Sequence, residues 1–315
     1  MTRLSDRKIV IVTRKTRIEE LVFRYNTLEQ ARFYIEHLGA DFSDYLVEDR
    51  QYKIVVAEVE NQAMELGRVQ LLDRAYLPNF IFGPEDLVVA VGQDGLVANT
   101  VKYLSNQAII GVNPDPDRWD GVLLPFSGKD AGRIIRDVLE GKRRTAEITL
   151  AQAALTNGQK LYAVNDLFIG PKSHVSARYS LECGGEGETQ SSSGVIVSTG
   201  LGSTGWLKSI LAGARALTRL AGDSPDDACA KNDDGRFPWS ADYLLYSVRE
   251  PFPSQTTGAR MAFGRIEADK PLTITSMMAA GGVIFSDGIE SDFLEFNSGQ
   301  KAIIQVADKK GRLVV

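Results

Sequence analysis

Two hydrophobic patterns alternate along the first third of the chain. "KIVIVT", Lys8 to Thr13, is a β-branched run of strand length, and "RIEELVFRYNTLEQARFYIEHLG" then spaces its apolar residues three and four apart up to Gly39. This predicts a strand followed by a helix. A second helical pattern lies around "NQAMELGRVQLLDRA", followed by a strand over Asp86 to Val91, a helix from Leu96 to about Leu104, and a strand "AIIGV" from Ala108 to Val112. Apolar strands separated by helices predict a parallel sheet covered on both faces.

The pattern changes after Asn113. "NPDPDRWDG" is rich in turn residues, and Asp130 to Leu139 predicts one more short helix. From Ala146 onward the alternation has the period of strands: "AEITLAQAAL" and "KLYAVNDLFIG" flank Asn157-Gly158, a strong hairpin signal. Further strands are predicted at "HVSARYSLE", "SSSGVIVST", "ADYLLYSVRE", "PLTITSMM", "GGVIFSDG" and "KAIIQVAD". One helix interrupts them, "STGWLKSILAGARALTRLAG", with Ser203 as its expected N-cap. The acidic stretch from Gly222, "GDSPDDACAKNDDGRFPW", reads as a long polar loop, without the spacing of an EF-hand.

Composition narrows the function classes. A length of 315 residues suits two domains, and 43% hydrophobic with 24% charged residues is ordinary for a folded globular chain. The net charge of -5, with no densely basic window, argues against a nucleic-acid partner. Two cysteines, Cys183 and Cys229, make neither a metal motif nor a disulfide framework, so a cytoplasmic home is expected. The amino-terminal apolar run is too short for a signal peptide and no stretch is long enough to span a bilayer, so no membrane association is expected.

Three segments carry candidate chemistry. In "VVAVGQDGLVANTVKYL" a buried-type strand passes through Gly92-Gln93-Asp94-Gly95 straight into a helix. A strand-to-helix turn at the carboxyl edge of a parallel sheet offers free N–H groups to phosphate, and Gly92 and Gly95 allow close approach. A carboxylate there repels phosphate unless it holds a metal or accepts a proton from an attacking hydroxyl, which makes Asp94 the candidate catalytic group. A plain β-turn is the competing reading. In "NDLFIG", Asn165 and Asp166 interrupt an apolar strand, which fits a cleft facing sugar hydroxyls or else a strand end twisting into solvent. "STGLGSTGW", Ser198 to Trp206, presents N–H and hydroxyl donors before a helix, suited to a nucleotide or merely to capping.

The order of these strings is more specific than any one of them. A Gly-X-Asp-Gly loop, an Asn-acid pair about seventy residues on, "STGLGSTGW" and then "FSDG" resembles the NAD kinases. The likeness is strongest to the mitochondrial-type branch, through "GVNPDPDRWDGVLLPF", "VNDLFIG", "SSGVIVSTGLGSTGW", "YSVREPF" and "FSDG". Two positions depart from the family's pattern: Gln93 stands where the family has its second glycine, and "LGSTGW" replaces "TGSTAY", giving an indole for a phenol.

The resemblance implies an α/β plus β fold. A Rossmann-like domain would span residues 1–127, with 295–315 packing back on it, and a β-sandwich-like nucleotide-binding domain would span 128–294. It implies transfer of phosphate from ATP, with Mg2+, to the adenosine ribose 2′-hydroxyl of NAD, giving NADP. Asp94 would be the general base, and Gly92, Gln93 and Gly95 would frame the ATP phosphates. Asn165 and Asp166 would hold ribose hydroxyls, while Thr199, Ser203, Thr204, Gly205, Trp206, Ser209 and Asp287 would line the nucleotide site. Assembly as a homodimer or tetramer is implied as well.

Other residues stay open. Arg14, Lys15 and Arg17 follow the first strand and could meet phosphate or form a solvated turn; His174 reads as a surface residue; Asp287-Gly288 also reads as a hairpin turn. Two rival functions remain: a non-catalytic NAD(P)-binding protein on the same fold, and a lipid or sugar kinase sharing the glycine-aspartate loop.

Overall fold

A computed structural model describes residues 4–220 and 235–315. The chain divides into two units, residues 1–146 with 311–315 and residues 147–310.

The first unit is an α/β layer structure. Its strands are β1 (Lys8–Thr13), β2 (Arg68–Asp73), β3 (Leu87–Val91), β4 (Ala108–Asn113) and the short β5 (Phe126–Ser127); its helices are α1 (Arg17–Tyr25), α2 (Leu28–His37), α3 (Ser43–Met64), α4 (Asp94–Val101) and α5 (Ala131–Leu139). The strands run parallel in the order β2–β1–β3–β4. The core forms where Ile9 and Ile11 of β1 and Val89 and Val91 of β3 meet Tyr52, Val55 and Val59 of α3 and Ile134 and Ile135 of α5. The end of the chain returns to this unit, pairing Arg312 and Leu313 in parallel with Ala108 and Ile109 of β4.

Two expectations for this unit are corrected. The first long helical pattern is two helices, because Thr27 accepts from the Gln30 N–H and starts α2 afresh after Asn26, whose φ is 68°. The pattern around "NQAMELGRVQLLDRA" ends as helix at Met64 and continues as strand β2, which pairs only with β1. As an edge strand that leaves Gln70 and Leu71 exposed, β2 lacks the apolar continuity of its neighbours.

The second unit is a β-sandwich. One sheet contains β6 (Thr145–Leu155), β7 (Lys160–Ala163), β9 (Ala177–Cys183), β10 (Glu186–Ser192), β14 (Leu272–Ser276) and β17 (Lys301–Val314). The other runs β13 (Phe263–Ile266), β12 (Leu244–Val248), β11 (Val195–Ser198), β8 (Asp166–Pro171), β15 (Gly282–Ser286), β16 (Ile289–Glu295). Period-two alternation puts Leu167, Ile169, Val195, Val197 and Ile284 of one sheet against Tyr179, Leu181, Ile274 and Ile304 of the other, all fully or nearly fully buried. Helix α6 (Trp206–Leu220) interrupts the strands; most of the acidic stretch that follows, including Cys229, lies outside the described residues. Among the described residues no helix is long and apolar enough to cross a membrane.

Candidate functional site

In a parallel sheet the loops following two adjacent strands diverge where the strand order reverses, leaving a crevice at their carboxyl ends. The order β2–β1–β3–β4 reverses between β1 and β3. The residues that follow those two strands are Arg14 and Gly92. Buried Tyr52 of α3 ties the two ends together: its hydroxyl donates to the Val91 carbonyl at 3.0 Å and accepts from the Arg14 N–H at 2.8 Å. Burial pushes that phenol up to about 12. The sheet order thus marks the Gly92 loop on grounds independent of its sequence.

Asp94 is the first residue of α4, where the unpaired N–H groups of a helix end favour negative charge. Its Oδ1 accepts from the Leu123 N–H at 2.6 Å, which fixes the carboxylate against the 114–125 loop. The other oxygen makes no hydrogen bond among the described residues. Gly95 is exposed, with open space where a Cβ would stand. Gln93 occupies the N-cap with φ -114° and ψ 163°, extended backbone that any residue adopts, and its side chain caps nothing. The glycine-to-glutamine change therefore adds a side chain without straining the loop.

The basic residues after β1 are largely spoken for. Arg14 pairs with buried Glu48 at 2.8 Å, and Arg17 pairs with Glu48 and, at 2.8 Å, with Asp44. Hydrogen bonds from Arg118 and then Arg17 hold the Asp44 carboxyl down at about 2. Lys15 lies over the Phe23 ring, 4.7 Å from its centroid. The two arginines brace α3 rather than standing free for phosphate, whereas Lys15 is exposed and makes no ion pair among the described residues.

The second unit holds a cavity of 630 Å³. Among the residues on its wall are Asn165, Asp166, Thr204, Gly205, Trp206 and Asp287. Asn165 and Asp166 are not at the middle of a strand, as the sequence suggested; they sit at the break between β7 and the start of β8. The bend is held by Asp287, whose carboxylate accepts from the backbone N–H groups of Val164, Asn165 and Asp166 at 2.7–3.3 Å. Asp287 and Gly288 form the two-residue turn between β15 and β16, with φ values of 53° and 70°. Asp287 is thus a hairpin-turn residue, as expected, whose carboxylate holds the bend on the cavity wall.

Asp166 is half-exposed as a residue, yet its Oδ1 is buried and has no hydrogen-bond partner. Burial first, and then the nearby Asp287 charge, push its carboxyl up to about 7, against a hydrogen bond from Ser198. An unpaired buried acceptor is costly, which makes Asp166 a polar group of this wall whose bonding is incomplete. The side-chain amide of Asn165 is likewise without a partner among the described residues.

The "STGLGSTGW" turn folds against this bend. Thr199 and Ser203 are fully buried and serve the backbone: Thr199 donates to the Val164 carbonyl at 2.5 Å and Ser203 to the Gly200 carbonyl at 2.7 Å. Ser203 is therefore not the side-chain cap of α6; it lies in a short 3-10 turn, Gly202–Thr204, one turn earlier. Gly202 is required by proximity, since a Cβ there would lie 2.2 Å from the Asn165 carbonyl. Thr204, Gly205 and Trp206 emerge exposed, and the Ser209 hydroxyl donates back to the Gly205 carbonyl at 3.3 Å. His174 is exposed.

Sequence reasoning overlooked the aromatic wall. Trp206, Phe168, Phe285 and Phe293 follow one another with ring centroids 5.9, 6.2 and 5.8 Å apart. Phe168 and Phe285 are cross-strand partners in β8 and β15, and both line the cavity. The available signal was the Phe in "DLFIG": Leu167 and Ile169 face the core, so a ring at Phe168 between them belongs to the other face.

No protein-family model matches this chain, and no curated protein matches it. Solved structures do. A crystal structure of an NAD kinase from Archaeoglobus fulgidus in complex with ATP aligns with a TM-score of 0.55 at 15% identity, over 98% of this chain and 93% of that one. Yeast NADH kinase complexed with NADH aligns with a TM-score of 0.56 at 13% identity, over 99% and 84%. The chain has an NAD kinase-like fold, with a Rossmann-like amino-terminal part and a sheet-rich carboxyl-terminal part. At these identities the likeness is one of fold alone.

Proposed function

We propose that this chain is an NAD kinase-like phosphotransferase that moves the γ-phosphoryl group of ATP to the adenosine ribose 2′-hydroxyl of NAD, giving NADP and ADP. The observation that carries the reading is Asp94: a carboxylate at a helix start beside the sheet's reversal point, with one oxygen fixed by Leu123 and the other unused. In this reading the free carboxylate oxygen takes the 2′-hydroxyl proton as the ribose 2′-oxygen attacks the γ-phosphorus, and the bond from the γ-phosphorus to the oxygen it shares with the β-phosphate breaks, releasing ADP. Gly92, Gln93 and Gly95 frame the ATP phosphates, and positioning supplies most of the rate.

The 630 Å³ cavity takes NAD, with the Asn165 amide and the unpaired Oδ1 of Asp166 offering polar groups and Thr204, Gly205 and Trp206 packing on the nucleotide. Among the described residues no three His, Cys, Asp or Glu side chains gather so as to hold a metal ion. Magnesium, bound with the ATP phosphates framed by the Gly92 loop, would offset their charge. Neighbours of the same fold were solved with ATP and with NADH, which supports nucleotides as the ligand class.

The test is product identification after incubation with ATP, magnesium and, separately, NAD, NADH, sugars and diacylglycerol. Conversion of NAD or NADH to its 2′-phosphate supports the reading; phosphate on sugar or lipid alone overturns it. One observation favours a second reading, a nucleotide-binding protein without transfer: the uncommitted Gln93 side chain stands at the helix start where phosphate would lie. Tight NAD binding with no turnover, and turnover gained in Gln93→Gly, would establish that alternative. Assembly as a homodimer or tetramer belongs to the first reading and is checked by light scattering.

A further inference from the structure

One face of β8 carries a spaced set of groups. Asp166, Phe168, Gly170 and Lys172 stand two residues apart, so they fall on the same side of the strand and its continuation, opposite Leu167 and Ile169, which enter the core. Gly170 has no side chain for a reason: a Cβ there would lie 2.6 Å from the Phe168 ring, which reclines along the strand. The face therefore carries a carboxyl with one unpaired oxygen, an aromatic plate lying across Gly170, and a cation beyond it. Asp166, Phe168 and Lys172 all line the cavity.

Lys172 is exposed, has no carboxylate partner among the described residues, and holds its ammonium 3.7 Å from the Phe293 ring centroid. Cation–π contact fixes the head group without neutralising it. Six residue steps at about 3.3 Å separate Asp166 from Lys172, roughly 20 Å of strand. That exceeds a nucleoside and suits an elongated ligand with a ring inside and an anionic group farther out.

We propose that Lys172 is the residue of this cavity that recognises the phosphate-bearing portion of a dinucleotide whose planar ring lies on Phe168. The assignment deepens the function proposed above and rests on its placement of NAD in this cavity. Lys172 supplies a charge-assisted hydrogen bond to the pyrophosphate, so it discriminates phosphorylated ligands from bare nucleosides.

Calorimetric titration of the whole chain and of Lys172→Ala and Lys172→Arg with NAD, ADP-ribose and adenosine tests it. Lys172→Ala should weaken NAD and ADP-ribose about tenfold, leave adenosine unchanged, and be largely rescued by Lys172→Arg. Equal weakening of adenosine, unchanged ADP-ribose affinity, or failure of arginine to rescue overturns the proposal. None of these readouts needs turnover. A chain with this pattern that transfers no phosphate loses the phosphotransferase reading and keeps this one; transfer with Lys172-independent binding does the reverse. Failure of the unaltered chain to bind any of the three overturns both.

Discussion

The Gly92 loop and the cavity of the second unit are built by opposite means. The loop is mostly backbone: a helix start, two glycines, and a single carboxylate positioned by one N–H from Leu123. The cavity is mostly side chain: an aromatic row, an amide, a carboxyl with one unpaired oxygen, and a lysine. Backbone donors suit phosphate, which every nucleotide shares, whereas a shaped side-chain wall suits one particular ligand. Under the proposed function, the first region carries the chemistry and the second the recognition.

The contrast can be broken most forcefully at two glycines. A Cβ on Gly111 of β4 would lie 1.9 Å from the Leu123 carbonyl, and one on Gly202 would lie 2.2 Å from that of Asn165. Each alanine variant should cost about 3 kcal/mol, the upper end for overpacking, since backbone rather than a side-chain tip must move. If the regions have separate roles, Gly111→Ala displaces the anchor of Asp94 and suppresses transfer while NAD binding persists. Gly202→Ala should instead remove NAD binding. Chemical denaturation and NAD titration of both variants distinguish these outcomes, and equal loss of binding in the two would remove the distinction.

A smaller effect sharpens the recognition side. Asp166 has a folded value of about 7, raised from 3.8 mainly by burial. A raised carboxyl stabilises the fold fully below its unfolded value, and that contribution is lost as pH rises through the folded value. Stability should therefore fall between about pH 4 and pH 7 and then level off. The fall is at most about 4 kcal/mol, and less because the residue is half-exposed. Asp166→Asn should flatten this part of the stability profile; an unchanged profile would show that the carboxyl titrates normally.

The smallest effect concerns Gln93. Its φ of -114° needs no glycine, so Gln93→Gly should change stability by no more than about 0.5 kcal/mol. A loss well above that would mean the side chain makes a contact that holds the loop.

Much of this was legible in the chain itself. Buried parallel strands announce themselves because both faces are apolar, as in β1, β3 and β4, and Asn157-Gly158 marks its hairpin through the conformations a tight turn demands. The break at Asn26 escaped because it depends on a cap at Thr27 within an otherwise continuous apolar stripe. Strand β2 escaped because an edge strand tolerates polar residues, and its apolar positions happen to fit a helix.

The same holds for the site. Asp94 stands out because a carboxylate in a glycine loop is chemically conspicuous, and Asn165 and Asp166 because they interrupt an apolar run. Phe168, Phe285 and Lys172 look like ordinary strand residues until pairing of β8 with β15 puts the two rings on one wall. Thr199 and Ser203 look like ligand donors, yet their hydroxyls bond to carbonyls of the bend and turn. Local sequence shows which groups could do chemistry; only tertiary pairing shows which are already engaged.

The central claim rests on the free oxygen of Asp94 and is tested by one comparison, the rate of phosphate transfer from ATP to NAD in the unaltered chain and in Asp94→Asn, with NAD affinity measured on the same samples. The account predicts a fall of about 10²- to 10⁴-fold in rate with NAD affinity essentially unchanged. Undiminished transfer in Asp94→Asn would contradict it.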